Sequence, residues 1–582
     1  MNPKRLLQHF NEITEAPDAV PRLRRFILDL AVRGKLVEQD PADEPASDLL
    51  KRIEAEKERL TKAGELRKHR REPLDEEEIA FTIPSAWSWT YLAQIGIINP
   101  QNDSEGNAEA SFIPMRMIYA EYGQPCEHEI RPWGEISRGF THFADGDVGL
   151  AKITPCFENG KSTVFRNLTG GIGAGTTELH IVRPIFVVAE YILIFLKSSH
   201  FIEAAIPKMT GTAGQKRVPK DYFAFSPFPL PPLSEQQRIV GKVDELMMLC
   251  DELEAAQAKR EWRRDRLVAA TLHGLNNGND SSETGGLPVF EEGARFYFNH
   301  FPHLTTRPEH IHQLRQTILN LAVRGKLVPQ DPKDEPASEL MKRIEVNKAQ
   351  LFKEGNIRKQ KGLPPIRQKD VPFDLPENWE WVRLGDVCFT ITDGAHHTPH
   401  YTEKGVPFLS VKDVSSGKID FSNTRFISQE SHNELCRRCK PESGDILLTK
   451  VGTTGIAVPV NTSREFSIFV SIALLKFSVS EILQPFLVHL LNSPFARKQS
   501  AENTQGIGNK NLVLRLINPF AIPVPPLAEQ HRIVAKVDEL MALCDEVEAR
   551  ITTTATTRRQ LLEATIHEAL KKRSLPEVSY EN

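Results

Sequence analysis

Residues 231–252 read PPLSEQQRIVGKVDELMMLCDE, and residues 525–546 read PPLAEQHRIVAKVDELMALCDE. In the first copy Ile239, Val243, Leu246, Cys250 and Leu253 alternate steps of four and three; Ile533, Val537, Leu540, Cys544, Val547 and Ile551 do so in the second. That is the a/d spacing of a helix that lays an apolar seam against a partner. Leu561 rejoins the second seam after the polar stretch 552–559. The paired prolines suit the run-up to a first turn and the glutamate that follows suits its dipole, so each copy predicts a helix start. Some 40 residues at about 1.5 Å each would make a rod on the order of 60 Å, which is a spacer.

Two further blocks recur in the same order. Residues 30–37 and 321–328 both read LAVRGKLV, and each runs on into Q-D-P-x-D-E-P-A-S, ending at Ser47 or Ser338. These front blocks predict a helix, a proline turn and a second helix capped by Ser47 or Ser338. Identity this strict marks a retained surface. A weaker block pairs Ile83-Pro84-x-x-Trp87-x-Trp89 with Leu375-Pro376-x-x-Trp379-x-Trp381 and opens each intervening segment. The chain is a tandem duplication.

Between the blocks the copies part company. Residues 84–229 and 376–523 share little beyond Gly146-Asp147 with Gly444-Asp445, Lys152 with Lys450, and a late Gly-x-Lys. A pure scaffold repeat would drift everywhere alike, and a duplicated enzyme would hold its catalytic segment most tightly. A constant frame with free inserts suits a protein that offers one docking surface twice while reading two different targets. Short apolar runs such as 186–194 and 469–477, punctuated by Gly and Pro, predict mixed α+β inserts with irregular loops.

With 582 residues, 40% hydrophobic and 26% charged, the chain has the composition of a soluble globular protein with several cored domains. No window approaches the roughly 18 uncharged apolar residues of a membrane span, and the start is polar, so a cytoplasmic protein is expected. Seven cysteines, few and odd in number, fit free thiols in a reducing compartment. A net charge of −4 argues against a solo nucleic-acid binder, because phosphate binding needs gathered Lys and Arg. The basic stretches 67–71 and 358–361 read either as solvated linkers or as phosphate contacts. Residues 276–286 read as a flexible linker.

Signatures of chemistry are incomplete. An amino-methyltransferase would carry Asn or Asp before Pro-Pro-aromatic, and Asn518-Pro519-Phe520 lacks the second proline. Gly171, Gly173 and Gly175 lack the final glycine of a dinucleotide loop and read as a flexible turn; Gly160-Lys161-Ser162 would end a phosphate loop only if Pro155 were glycine. Asp147 and Asp445 lack the second carboxylate of a metal nuclease, since Leu150 and Leu448 stand two before the lysines. His432, Cys436 and Cys439 have zinc-like spacing without a fourth ligand. Cys250 and Cys544 read as small buried hydrophobes. No catalytic or metal-binding residue is expected. The paired loops 210–217 (TGTAGQKR) and 504–511 (TQGIGNKN) do combine glycine with amide and cationic groups, which read adenine and guanine edges and hold phosphate. Gln215, Lys216, Arg217, Asn509 and Lys510 of these loops, together with the paired Lys152 and Lys450, are the candidate DNA-binding residues. His396-His397 and Arg437-Arg438 are weaker candidates of the same kind.

The doubled P-P-L-x-E-Q-x-R-I-V-x-K-V-D-E-L motif, the doubled P-x-x-W-x-W and Gly-Asp-x-x-x-x-Lys near the middle of each insert resemble the specificity subunits of type I restriction-modification systems over nearly the whole chain. The resemblance implies two α+β target-recognition domains joined by two long helices in an antiparallel coiled coil, a pseudo-twofold repeat. Each domain would read half of a split double-stranded DNA site. Two copies of a methyltransferase subunit and the restriction/translocase subunits would be the partners; S-adenosylmethionine, ATP and Mg would sit on them, leaving this chain with no cofactor, no membrane association and no catalysis. The alternative is a coiled-coil scaffold or adaptor without sequence-specific DNA binding. The expected boundaries are a front helical block 1–83, recognition domain 84–232, helix 233–275, linker 276–306, second front block 307–375, recognition domain 376–526, and helix with tail 527–582.

Overall fold

The protein is described from a computed structural model, which covers residues 15–16, 18–64, 66, 79–212, 214–277, 300, 304–357, 362–367, 370–506 and 510–570. The basic stretches 67–71 and 358–361, the linker residues 278–286 and Asn509 lie outside the described residues. The chain divides into two compact units, residues 1–260 with 555–582, and residues 261–554.

In the first unit, front helices α1 (Ala19–Val32) and α2 (Ala46–Lys62) precede strands β1 (Ser88–Tyr91), β2 (Gly96–Ile98), β3 (Glu109–Ile113), β4 (Glu129–Pro132), β5 (Thr141–Ala144), β6 (Val148–Ala151), β7 (Ser162–Val164), β8 (Ile172–Gly175) and β9 (Leu179–Pro184). Helices α3 (Ala189–Lys197) and α4 (Ser199–Ala205), strand β10 (Pro227–Leu230) and the long helix α5 (Leu233–Asn277) follow, with α5 passing into the second unit after residue 260. The second unit repeats the plan with α6 (Pro308–Val323), α7 (Ala337–Lys353), β11 (Glu380–Arg383), β12 (Cys388–Asp393), β13 (Tyr401–Thr402), β14 (Val406–Leu409), β15 (Arg425–Ile427), β16 (Ile446–Thr449), β17 (Ala457–Pro459), β18 (Ser467–Ile468) and β19 (Ile472–Phe477). It closes with α8 (Gln484–Asn492), α9 (Pro494–Glu502), β20 (Ala521–Val524) and α10 (Leu527–Leu570), whose residues from 555 on belong to the first unit.

The divergent inserts share a topology. Each is closed at its neck by an antiparallel pair, β1 with β10 and β11 with β20. Each then holds a four-stranded sheet, β2-β9-β6-β7 or β12-β19-β16-β17, and a second sheet built on one parallel pair, β3 with β8 or β14 with β18. The second sheets differ at an edge: β5 adds beside β8 in one, and β13 adds beside β15 in the other. Most of these strands are buried along consecutive residues, β6 and β16 at all four positions, so apolar runs that share hardly any letters build the same topology in both inserts.

The repeated blocks meet at one inward-facing joint in each unit. Trp87 Nε1 donates to Glu235 Oε2 at 2.9 Å, Gln39 Nε2 donates to Glu235 Oε1 at 2.6 Å, and Arg238 donates to Asp43 Oδ2 at 2.6 Å. The copy is the same: Trp379 to Glu529 at 2.9 Å, Gln330 to Glu529 at 2.7 Å, and Arg532 to Asp334 at 2.6 Å. Gln236 and Gln530 donate to Pro231 and Pro525 carbonyls and accept from the N–H of Val188 and Leu483. LAVRGKLV ends a helix in both units: Gly34 (φ +63°) and Gly325 (φ +68°) take the left-handed conformation, and Lys35 and Lys326 N–H return to the Leu30 and Leu321 carbonyls at 3.0 Å. A Cβ on Gly34 would stand 2.5 Å from Pro84 Cγ, and one on Gly325 2.5 Å from Pro376 Cγ. Part of the near-identity is thus spent on this joint, where Trp87, Glu235 and Gln236 are buried and buried polar groups tolerate no unpaired partner, while other repeated residues such as Lys35, Asp40 and Glu44 are exposed.

One other expectation changes. α2 and α7 begin at Ala46 and Ala337, ahead of Ser47 and Ser338, and have no side-chain cap; the Ala46 and Ala337 N–H groups are instead met by the Ala86 and Asn378 carbonyls, at 2.9 and 3.0 Å. The first front block packs onto its insert: Ile27, Leu28, Leu49 and Ile53 share one hydrophobic core with Tyr191, Phe195 and Phe228. Ile239, Val243, Met247 and Cys250 belong to that same core, as Ile533, Val537 and Cys544 belong to the second unit's. The first turns of the seam therefore find their apolar partners within their own unit, with Cys250 and Cys544 as buried hydrophobes.

Helix ends complete the units. In the second, Val268, Leu272 and Leu275 of α5 pack with Leu304, and Arg324 Nη1 donates to the Asn276 carbonyl. In the first, Leu562 of α10 packs with Ala16 and Ala19, Arg22 pairs with Glu563 at 2.7 Å, and Lys35 Nζ donates to the Leu570 carbonyl at 3.2 Å. A cation at the last carbonyls of a helix offsets its negative end.

Candidate nucleic-acid interface

The Gly-Asp pairs shared by the inserts are turn anchors. Gly146 (φ +86°) and Gly444 (φ +98°) supply a left-handed turn ahead of β6 and β16. Asp147 then accepts from the Ala144 N–H and pairs with Arg183 through two bonds of 2.8 Å; Asp445 accepts from the Glu442 N–H and pairs with Lys476 at 2.6 Å. Burial raises both carboxyl groups above the usual range despite these cations. These aspartates are structural.

Four strand residues on, Lys152 and Lys450 occupy one backbone position. Lys152 N–H donates to Glu178 O and its carbonyl accepts from Val218 N–H; Lys450 makes the same bonds with Ser471 and Leu512. That position brings the late loops alongside. Arg217 bridges both Thr210 and Ile153, and Asn511 bridges both Gln505 and Val451. The bridges pair Thr210 with Gln505 in the fold, so the first loop is one residue longer than the second.

In the first loop Gln215 and Lys216 are exposed, and Lys216 N–H donates to Thr154 Oγ1 at 3.1 Å. Arg217 is held back by Glu178 through bonds of 2.9 Å from Nε and Nη2. The arginine holds the Glu178 carboxyl below its usual range. Lys152 is half-buried beneath the loop. His180, under the same loop, meets the Val218 carbonyl at 2.9 Å and stacks on Phe223; burial lowers it to about 4, so the imidazole is neutral. The structure thus gathers Lys152, Gln215, Lys216 and Arg217.

In the second unit Lys510 is exposed, but Lys450 is not. Its side chain is 4% exposed, and its ammonium pairs with Asp393 Oδ2 at 2.5 Å. As a surface phosphate contact Lys450 is corrected: an ammonium taken out of water is kept only by its buried counter-charge. Asp393 ends β12, and Gly394 after it lies so close to the Ile468 carbonyl that a Cβ would stand 1.8 Å away. The same carboxylate accepts from Arg438 Nη2 at 2.6 Å, and His396 Nε2 lies 3.0 Å from its Oδ1. Two weaker sequence candidates, 42 residues apart, are therefore neighbours. Glu178 and Asp393 were invisible as site residues, since a lone carboxylate at the edge of a strand carries no local signal.

Gly173 and Gly175 are no flexible turn. They lie in β8, where a Cβ would meet Phe143 and the Ser111 and Ile113 carbonyls at 2.5–2.7 Å. His432 accepts or donates with Ser467 Oγ at 2.9 Å, while Cys439 is buried in an apolar cluster. Among the described residues no group of three His, Cys, Asp or Glu could hold a metal ion. All seven cysteines are free thiols, and no described helix is long and apolar enough to cross a membrane.

The frame is repeated twice, its internal joint is the same in both units, and unlike loops stand at equivalent positions of the two inserts. The family model described as "Type I restriction modification DNA specificity domain" matches residues 376–556. The chain is 40% identical over 554 residues to the type I restriction enzyme EcoAI specificity subunit of Escherichia coli, covering 94% of this chain and 93% of that protein. It is 38% identical over 569 residues to the EcoEI specificity subunit of the same species, covering 95% and 94%. A solved chain from work on complex assembly and conformational transition of the type I R-M system superposes with a TM-score of 0.49 at 19% identity, over 84% of this chain and 99% of that one. The chain belongs to the type I restriction enzyme specificity subunits. A bare scaffold or adaptor without a DNA role is not supported.

Proposed function

We propose that the chain is the DNA-reading subunit of a type I restriction-modification complex, each insert reading one half of a bipartite double-stranded target. The observation that carries this reading is the contrast between two identical joints and two unlike loops, 211–216 and 506–510, set at one position of matching sheets. Lys152, Gln215, Lys216 and Arg217 form the first reader's contact set, and Asn509 with Lys510 belong to the second's. Lys216 and Lys510 hold phosphate or a base edge, and the amides of Gln215 and Asn509 suit adenine.

The chain itself is non-catalytic and cytoplasmic. It positions two copies of a methyltransferase subunit and the restriction/translocase subunits, and S-adenosylmethionine, ATP and Mg bind to those partners. The long helices set the gap between the half-sites. At net charge −4 the subunit alone binds DNA weakly, and specific binding develops with the methyltransferase bound.

Exchange of residues 84–229 for the insert of a relative, followed by methylome sequencing of a strain carrying the exchanged system, tests this. One half of the methylated motif changes and the other stays. A motif altered in both halves, or in neither, defeats the reading.

A further inference from the structure

The turn between β16 and β17 is joined to the late loop of the second insert. Val451 bridges Asn511, and Gly452 N–H donates to the Lys510 carbonyl at 3.4 Å. Gly452 and Thr453 are exposed, as is Lys510. The turn is braced from within: Gly455 N–H donates to the Thr449 carbonyl at 2.7 Å, Thr449 Oγ1 donates to the Thr453 carbonyl at 2.6 Å, and Thr454 Oγ1 lies 2.8 Å from Thr504 Oγ1. Arg497 Nη1 donates to the Thr454 carbonyl at 2.7 Å. The carbonyls of Thr453 and Thr454 are thus met, whereas their N–H groups have no partner among the described residues.

Arg497 has no carboxylate partner among the described residues, and burial alone holds its guanidinium below the ordinary range. A half-buried cation without a counter-charge is costly to keep. Bracing one carbonyl would need only a neutral donor, so the charge itself calls for a use. We propose that the turn 452–454, with Arg497 and Lys510, holds a backbone phosphate of the DNA at the half-site of the second insert; the inference rests on the DNA-reading function proposed above. Open backbone N–H groups beside Lys and Arg are what phosphate oxygens take from a protein, and such contacts fix the register of a reader without carrying sequence themselves.

The first insert has the turn without the site. Between β6 and β7 the N–H groups of Phe157, Asn159, Gly160 and Lys161 are all met by carbonyls of the turn itself, at 2.8–3.1 Å. Ile202 stands four residues past the capping Ser198, where Arg497 stands four past the capping Ser493. A Cβ on Gly160 would lie 3.7 Å from Ile202 Cδ1, and one on Gly455 3.4 Å from Arg497 Nη1. The same neighbour is apolar in one insert and cationic in the other, so the first insert must anchor its half-site differently.

The test uses the methyltransferase complex with wild-type, Arg497→Met or Arg497→Lys subunit, bound to the duplex that methylome sequencing of the wild-type strain identifies. Single phosphates of that duplex are replaced in turn by uncharged methylphosphonates. One replacement at the second half-site is expected to weaken wild-type binding roughly tenfold. Arg497→Met is expected to keep the methylated motif, to bind the unmodified duplex roughly tenfold more weakly with a salt dependence shallower by about one ion, and to lose its sensitivity at that one phosphate. Arg497→Lys keeps the charge and should restore both. Lys510→Ala, at an exposed side chain, should lose sensitivity at the same phosphate and reports on the site if the methionine variant melts early. The same methylphosphonate profile in wild type, Arg497→Met and Lys510→Ala overturns the inference. So does inorganic phosphate that raises the melting temperature of wild type but not of Arg497→Met, against chloride at equal ionic strength, while the profile stays unchanged; the site then takes free phosphate rather than DNA. Absence of any bipartite motif in the wild-type strain is a failure of the proposed function, distinct from these results.

Discussion

Trp87 and Glu235, 148 residues apart in sequence, meet through a 2.9 Å hydrogen bond from the indole N–H to the carboxylate. Trp379 and Glu529 repeat it at 2.9 Å across 150 residues. The bond ties the first residues of each insert to the helix that leaves it, so the insert is clamped at its neck whatever its interior sequence. Burial raises both glutamates above the usual carboxyl range, and the indole and amide donors pull back against that shift.

Trp87→Phe removes the donor and little volume. It should cost about 1.5–3 kcal/mol, the range for a hydrogen bond to a charged group, and lower the melting transition of the first unit by several degrees. Trp379→Phe should do the same to the second. Calorimetry that finds either variant melting as wild type would remove the clamp.

Gly34 and Gly64 both take positive φ, +63° and +78°, but only Gly34 has a neighbour where its Cβ would go. Gly64→Ala should cost about 1–2 kcal/mol, the left-handed penalty alone. Gly34→Ala should cost at least twice as much, because Pro84 and Trp87 must move. Equal denaturant midpoints for the two variants would show the joint to be looser than described.

His180 and His200 are both lowered to about 4, chiefly by burial, with Arg33 adding to the effect on His200. Unfolded, each titrates near 6.5. Between pH 6.5 and 4 the unfolded chain therefore takes up protons that the native one refuses, so this contribution to stability is whole above 6.5 and declines as pH falls. The raised Asp29 carboxyl beside His200 acts in the opposite direction over the acid range. His200→Phe copies the Phe495 that stands at this place in the second unit, against Phe373. It should make the melting temperature fall less steeply from pH 6.5 to 4.5; an unchanged slope would show His200 to be protonated in the native state.

Lys450 and Lys510 should separate by what they damage. Lys450→Met leaves Asp393 with only Arg438 and His396, and should cost on the order of 3 kcal/mol of stability. Lys510→Ala and Lys216→Ala should change stability by no more than about 0.5 kcal/mol. Each should weaken DNA binding by the assembled complex and reduce the steepness of its salt dependence by about one ion. Salt titrations of binding, beside melting curves, separate the two classes; a Lys510→Ala complex with wild-type affinity and slope takes that loop off the DNA.

The repeat, the long helices and the α+β inserts were legible in the sequence because periodicity and self-similarity are local or pairwise in the text. The purpose of the repeated letters was not. Gln39, Asp43, Trp87, Glu235 and Arg238 fall in three blocks, and only folding shows that they are one network rather than a shared outer face. Gly173 and Gly175 were misread for a related reason: a buried strand pressed against Phe143 uses the same residue as a loop. Lys450 and Lys152 look alike as letters, and their difference depends on Asp393, which is 57 residues from Lys450 and has no counterpart in the first insert.

The pairing of Arg22 with Glu563 spans 541 residues and sets an order of events during synthesis. At about 5–20 residues per second, Glu563 emerges roughly half a minute to two minutes after Arg22. Residues 261–554 are all made before then, so the second unit can close while Ala16, Ala19 and Lys35 still await Leu562 and Leu570. Residues 16–35 thus leave the ribosome well before the residues that finish their packing, and a chaperone that shields apolar helix faces has a long opportunity at α1.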